Sequence, residues 1–451
     1  MATIAVLAAA TASLGVAGAL QGPRLQTAAV DAERVTQLAG SRVVLELNQP
    51  IARVDGSLRV EPDEPAELTV EGDRLIVEFA RPLPYDTEVA VTVEGVVGET
   101  QPTPATIEHR FTTAESSLHT LVRRSDTGRP DAVVRGSLSG GDPEVVLEAP
   151  RLLSFAEAAD VVVAVAIEDD ELHTLRVAGV GQETQTLRLP EPGHIRSIAG
   201  STTNPIVAFV LDGAPRPGGV EPAYRNALFT LDVSGQTAAP APVLGLGGAP
   251  MRVMDWRFVP GTTSLVVQDF DGALFLVDAL GLTPPAPLGV HSELRGFVPG
   301  TTDLVVADPD RGLVIDLETG DARENVLPAA ELPDNAYPGR VEQLDLEGTH
   351  ALAVLLTTTA DDGTVQAQSL LAVAGPEGTA VRYATGARSR LLGYCVSPNG
   401  RYAAVETADV DAESDGYPNA PAMRDRLTTV VDLADGAIVR TQSGGGSDWC
   451  G

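Results

Sequence analysis

The chain contains no lysine. Its 31 basic residues are all arginine and face 62 aspartates and glutamates, a formal net charge of -31. Without lysine, Schiff-base catalysis and the phosphate-gripping lysine of a P-loop are excluded. A surface this acidic repels phosphate backbones and anionic lipid headgroups, so nucleic acid is not an expected partner. Acidity of this order keeps an exported protein soluble. Aromatic residues make up 4% of the chain, which weakens the case for a sugar-stacking platform. No Gly-x-Ser-x-Gly or His-Glu-x-x-His signature occurs, so no catalytic residue is assigned.

Cysteine is also scarce. Cys395 and Cys450 form no Cys-x-x-Cys pair and have no histidine at metal-ligand spacing, which argues against zinc. Two readings stay open for them. In an exported chain they form a disulfide closing a loop of roughly 55 residues, worth up to ~4 kcal/mol on the chain-entropy account. Otherwise they are two unrelated buried thiols.

Charge is absent from Ala2 to Leu20, a run about as long as a membrane span. Ala17-Gly18-Ala19 fits the small-x-small pattern of signal cleavage. Residues 1–22 are therefore expected to be a signal peptide or a membrane anchor, and the two are not separated. No basic stretch precedes the run, so an ordinary alanine-rich helix is the competing reading. No cysteine follows it, which argues against a lipoprotein.

Helix signals are few, while Val, Thr, Gly and Pro are plentiful, a mixture that favours strands and turns. From about Gly40 to Thr113 short strands alternate with tight turns. Leu68–Val70 and Leu75–Phe79 flank Gly72-Asp73 as a hairpin, and Val89–Val93 alternates cleanly. Six or seven strands in this span predict a β-sandwich. The phrases Leu45-Glu-Leu-Asn-Gln-Pro50, Pro82-Leu83, Tyr85-Asp-Thr87 and His109-Arg-Phe111-Thr-Thr113 resemble bacterial Ig-like domains of the surface-layer type. Such domains are spacers and adhesion modules of exported proteins, and the resemblance implies no catalytic residue.

One phrase occurs twice. Phe258-Val-Pro-Gly-Thr-Thr-Ser-Leu-Val-Val is followed about 39 residues later by Phe297-Val-Pro-Gly-Thr-Thr-Asp-Leu-Val-Val, a period typical of propeller blades and other repeats. Each copy leads into an acidic turn, with Asp269 and Asp271 or with Asp308 and Asp310, and then a second apolar strand. Such units cannot bury their faces alone and must stack. Further strand clusters run over Leu152–Leu189, Ile195–Val233, Ala351–Val373 and Leu391–Leu433, and Leu118–Ala149 supplies a partial or complete seventh. Ser397-Pro-Asn-Gly400-Arg-Tyr402 resembles the first turn of propeller repeats of the Tol-system and WD-like type, and the Phe-Val-Pro-Gly-Thr-Thr copies resemble degenerate versions of it. Strict Trp-Asp signatures are absent. The resemblance implies six or seven blades, with Cys395 on an inner strand and Cys450 stapling the last one. Two stacked smaller β domains are the alternative.

The fold expected is thus all-β: an apolar segment over 1–22, an Ig-like sandwich over 23–114 and a six- or seven-bladed propeller over 115–451. Asp409, Asp411, Glu413 and Asp415, ahead of Gly416, give the best candidate metal loop, because alternate carboxylates can wrap a calcium ion. Their register departs from that of an EF-hand, and a solvated acidic loop is the competing reading. Apart from that possible calcium, no cofactor is expected. His109, His119, His173, His194, His291 and His350 are scattered and read as structural or exposed. The function expected is binding or scaffolding outside the cytoplasm, with a protein or cell-envelope ligand. A propeller hydrolase acting on glycans or lactones, and a structural surface-layer component, are the alternatives.

Overall fold

A computed structural model describes residues 22–450, apart from 101, 125–126, 180–182, 216–217, 219, 236–238 and 360–364. The apolar run Ala2–Leu20 lies outside the described residues. Among them, no helix is long and apolar enough to cross a membrane. The chain divides into two compact units between Ser116 and Ser117. It is built almost entirely of β-sheet.

The first unit contains strands β1 (Leu25–Val30), β2 (Arg42–Leu47), β3 (Ile51–Val54) and β4 (Leu58–Glu61). Strands β5 (Ala66–Glu71), β6 (Arg74–Phe79), β7 (Glu88–Gly98) and β8 (Ala105–Thr112) follow. One antiparallel sheet is ordered β1-β2-β6-β5; in the other, β3, β4 and β8 all pair with β7. Period-two patterning explains the core: Val43, Leu45 and Leu47 on β2, Leu75, Val77 and Phe79 on β6, and Val89, Val91 and Val93 on β7 are buried in one cluster. Gly72, at φ +63°, makes the two-residue turn that joins β5 to β6.

The second unit begins with a three-stranded sheet of β9 (Ser117–Val122), β10 (Asp131–Ser137) and β11 (Glu144–Ala149), ordered β11-β10-β9. Six four-stranded antiparallel meanders follow in chain order. Strands β12–β15 span Leu152–Ala158, Val161–Ile167, His173–Gly179 and Gln185–Leu187. Strands β16–β19 span Gly193–Gly200, Ile206–Gly213, Ala227–Asp232 and Ala241–Pro242. Strands β20–β23 span Asp255–Phe258, Ser264–Gln268, Ala273–Asp278 and Ala286–Val290. Strands β24–β27 span Glu293–Phe297, Asp303–Asp308, Arg311–Asp316 and Ala322–Glu324. Strands β28–β31 span Ala336–Gln343, His350–Thr359, Val365–Gly375 and Gly378–Ala384, and β32–β35 span Ser389–Val396, Tyr402–Asp409, Leu427–Asp432 and Ile438–Ser443.

The repeated phrase is the turn from the first to the second strand of its sheet. In both copies, and in Ser397–Tyr402, a glycine sits at φ near +70°: Gly261 at +71°, Gly300 at +73° and Gly400 at +71°. The threonine after the glycine explains the repetition. Thr262 Oγ1 donates to the Val259 carbonyl and accepts from the Ser264 N–H, and Thr301 does the same between Val298 and Asp303. In the third copy Ser397 Oγ accepts from the Tyr402 N–H instead.

The second strands of the first three meanders are apolar on both faces because a sheet packs on each side. On β13, Val163 and Val165 meet Phe209 and Leu211 of β17, while Val162 and Ala164 face Leu121 and Val133 of the first sheet. On β17 the alternation continues, with Ala208 and Val210 turned to Leu265 and Val267 of β21. The next residue along, Val266, packs with Leu304 and Val306 of β25. These slabs of core each belong to two sheets, as a propeller-like repeat requires, whereas Val298, Val305 and Val314 of the fourth meander and Leu352, Val354, Ala372 and Ala374 of the fifth cluster within their own sheets.

The first and last sheets share such a slab too, built on Leu118, Ala404 and Val430 with Trp449 against them. After β35 the chain runs onto β9: Leu121 and Gly445 exchange both backbone hydrogen bonds, at 2.9 and 3.1 Å. Gln442 Nε2 donates to the Leu118 carbonyl and to Thr120 Oγ1, and Arg440 donates to the Ser137 carbonyl. The three-stranded sheet thus gains an edge partner from residues 443–446. Gly444 sits at φ +101°, and a Cβ there would lie 2.7 Å from the Leu121 carbonyl oxygen. Gly444→Ala should therefore cost about 1–3 kcal/mol through strain at this junction. A urea unfolding midpoint unchanged from the wild type would refute that role.

Candidate functional site

The most concentrated chemistry among the described residues comes from three distant segments. His119 on β9, Glu157 on β12 and Asp448, in the short 3-10 turn Asp448–Cys450, bring one ring nitrogen and two carboxylate oxygens together. His119 Nδ1 lies 2.8 Å from Glu157 Oε2 and 3.1 Å from Asp448 Oδ2. The other Asp448 oxygen accepts the His119 backbone N–H at 3.0 Å, so the carboxylate holds both backbone and ring. The His119 side chain is 2% exposed, and Glu157, at 29%, is the member that reaches solvent.

Burial alone would push the His119 pKa down. Hydrogen bonds to Asp448 and Glu157, with the charges of both, outweigh it and raise the imidazole to about 10. Burial raises Glu157 above the usual carboxylate range, with the Asp448 charge adding to it and the histidinium opposing. With its ring protonated, His119 is clamped between Glu157 and Asp448 and has no free lone pair on Nδ1 to serve as a general base. As a ligand set, one imidazole nitrogen and two carboxylates suit a divalent transition metal better than calcium, which favours oxygen throughout. A cation would have to displace the shared proton first.

The carboxylates read as a calcium loop are directed elsewhere. Asp409 and Asp411 both face Arg388, and Asp409 also accepts the Asp411 N–H. Glu413 is tied through its backbone carbonyl to the Arg424 N–H. Asp415 is buried, pairs with Arg123 at 2.8 Å and accepts the Tyr417 and Ala422 N–H groups. No three of the four bring ligand atoms within 4.8 Å of one another. The aspartates of the two acidic turns cap backbone: Asp269 accepts from Asp271 and Ala273, and Asp308 from Ser292 while pairing with His291.

Cys395 on β32 and Cys450 form a disulfide with Cα atoms 5.1 Å apart. It fixes the residue two places beyond Asp448 to the first strand of the last sheet. His173 and His194 meet edge to face at 4.9 Å. Burial and the neighbouring His194 lower His173 to about 4, leaving its Nδ1 to accept the Ile195 N–H. No local pattern marks the His119 cluster, because its members lie on three segments with no common spacing. The nearest signal was the Gly444–Gly446 run, whose small residues let the chain lie against β9.

No protein-family model matches the chain, and no curated protein matches it in sequence. Among solved structures, a provisionally assigned TolB of Agrobacterium tumefaciens is 12% identical, with 73% of this chain and 90% of that one covered and a TM-score of 0.32. A provisionally assigned 6-phosphogluconolactonase of Bacteroides fragilis is 12% identical over 74% of this chain and 94% of that one, at a TM-score of 0.37. An auxiliary nutrient binding protein of Bacteroides ovatus is 11% identical over 80% and 86%, at 0.28. Likenesses this loose carry no argument about activity or ligand.

The His119 clamp predicts a pH dependence. A histidine raised in the folded state contributes stability that is fully present below its unfolded value of 6.5 and is lost as pH rises through about 10. The unfolding free energy of the wild type should therefore fall over that window by on the order of 3 kcal/mol more than that of His119→Gln. Parallel pH profiles for the two proteins would remove the clamp from the account.

Proposed function

We propose that the second unit is a seven-bladed β-propeller, that the first is an Ig-like sandwich, and that the protein works outside the cytoplasm as a binding module. Its partner is a protein or cell-envelope ligand taken by the propeller. The observation that carries the binding role is an exposed apolar cluster on two adjacent loops. Leu244, Leu246 and Met254 lie on the connection from β19 to β20, and Phe270 lies in the turn from β21 to β22; each is about half exposed or more. The Met254 N–H donates to the Gln268 carbonyl, holding connection and turn together, and the Arg252 guanidinium lies 5.5 Å over the Phe270 ring. Grouped apolar side chains rimmed by charge are the signature of an interaction surface.

The compartment rests on the Cys395–Cys450 disulfide, which persists where the surroundings are oxidising. Residues 1–22 would supply the export signal or anchor, and the sandwich would act as a spacer. The second reading is an enzyme, a metal-assisted hydrolase of glycans or lactones, and it is favoured by the convergence of His119, Glu157 and Asp448. Against it stands the protonated, buried state of His119.

The compartment and the binding role are tested separately. Protein taken from the native envelope and alkylated before reduction should show no free thiol, and Cys395→Ser should lower stability by about 2–4 kcal/mol. Two free thiols in natively isolated protein would overturn the assigned compartment. Affinity capture of the tagged full chain, followed by mass spectrometry, should recover one stoichiometric partner that Leu246→Asp with Phe270→Asp loses. Absence of a partner, together with zinc- or manganese-dependent glycan or lactone hydrolysis abolished by Glu157→Gln, would replace the binding reading with the enzymatic one.

A further inference from the structure

One junction of the second unit is sealed differently from the rest. The three-stranded sheet shares an apolar cluster with the first meander, and so do the first and second, second and third, third and fourth, and fifth and sixth meanders. The last sheet shares one with the first. Between the fourth and fifth meanders no cluster is shared among the described residues. Val305 and Val314, on the face of the fourth meander turned away from the third, cluster with Val298 alone. Leu352, Val354, Ala372 and Ala374, on the face of the fifth turned away from the sixth, are almost wholly buried. The apolar residues laid on them from outside their own sheet are Ala330 and Leu332, in the connection from β27 to β28.

That connection resembles a bound peptide in its chemistry. Leu327-Pro-Ala-Ala-Glu-Leu-Pro333 has no regular secondary structure, and its burial alternates. Pro328, Ala330 and Leu332 are half-buried, while Ala329, Glu331 and Pro333 are exposed, the pattern of an extended segment with one side on a surface. Its ends are pinned. Asn325 donates its N–H to the Gly312 carbonyl at 2.9 Å and its side-chain amide to Gln343 Oε1 at 2.7 Å. At the other end the Asn335 carbonyl accepts the Thr357 N–H at 3.0 Å. Between them one backbone donor has a partner among the described residues: the Glu331 N–H, 2.8 Å from Thr379 Oγ1. An apolar sheet face is thus covered by two half-buried side chains and a single hydrogen bond.

We infer that this face of the fifth meander is a peptide-binding groove, that residues 326–334 are a strap occupying it, and that its external ligand is an extended apolar segment of a partner protein interrupted by proline. The strap itself defines the ligand class. An extended proline-containing chain satisfies few of its backbone groups internally and loses little entropy on docking, so side chains at alternate positions carry the recognition. Removing the strap would expose Leu352, Val354 and their neighbours, so opening and occupation by a partner are coupled. The groove uses no residue of the Leu246–Phe270 cluster, and either surface can fail without the other.

The probe is a labelled synthetic peptide with the sequence of residues 325–335, titrated into the full chain and followed by fluorescence anisotropy. Wild-type protein should bind it weakly, because the tethered strap competes at an effective concentration on the order of millimolar. Leu327→Ser/Ala330→Ser/Leu332→Ser protein keeps the connection but removes its apolar side chains, and should bind the peptide about tenfold tighter or more. The same peptide carrying Leu332→Asp should not bind. Thr379→Val removes the acceptor of the Glu331 N–H without touching the apolar contacts, and should raise affinity for the peptide about threefold or more over wild type. Thermal melts check that each variant is folded. A folded triple variant that ignores the peptide up to about 1 mM, or equal binding of the Leu332→Asp peptide, would overturn the inference. Should the triple variant not fold, a folded Thr379→Val protein that binds no better than wild type would overturn it as well.

Discussion

The constraint on which the second unit depends is that most of its buried apolar surface is shared between neighbouring sheets. A four-stranded meander with an apolar second strand is stable only when another sheet covers each face, and a row of such sheets leaves its first and last members half covered. This chain meets the problem where Leu118, Ala404 and Val430 pack together and residues 440–449 are carried from the last sheet onto β9. The three-stranded first sheet and the segment beyond β35 are complementary parts of one closure. The disulfide, the Gln442 bonds and the His119 clamp all act at that junction.

Electrostatics follows from the same arrangement. A chain of net charge -31 has few cations, and where they are buried shows which joints are under most demand. Arg123 crosses from the first sheet to the Asp415 loop and to β12, and Arg440 reaches back to the first sheet from the last. His119 adds a third positive charge beside these seams. Each donates to carboxylates or carbonyls of another segment, which helps to offset the cost of burying its charge, although Arg123 Nε is left without an acceptor.

Much of the architecture was legible because it is written locally. The Phe-Val-Pro-Gly-Thr-Thr turns could be aligned with Ser397–Tyr402 from sequence, and all three share a positive-φ glycine and a hydroxyl bonded to the turn backbone. The apolar run Val161–Ile167 read correctly as a buried strand, since a strand covered on both faces cannot alternate. The candidate sites were hidden because they are assembled across the fold. Asp448 and His119 lie at opposite ends of the unit, and Tyr417 reaches Asp131 across nearly as much sequence. Carboxylates at alternate positions in Asp409–Asp415 suggested one ion, but the loop turns between them and hands Asp415 to Arg123. Local spacing cannot reveal a partner supplied by another sheet.

Closure by residues 443–450 also sets an order in time. A chain made or translocated from its amino-terminal side presents β9 with a bare edge until every later sheet has emerged, and a bare edge invites pairing with a neighbouring chain. Cys450 follows all of the sheets described, so the bond to Cys395 cannot form in a chain that stops short of it. The state of these two sulfurs therefore reports whether the closing segment has been made and seated, since a chain cut before Cys450 leaves Cys395 a free thiol.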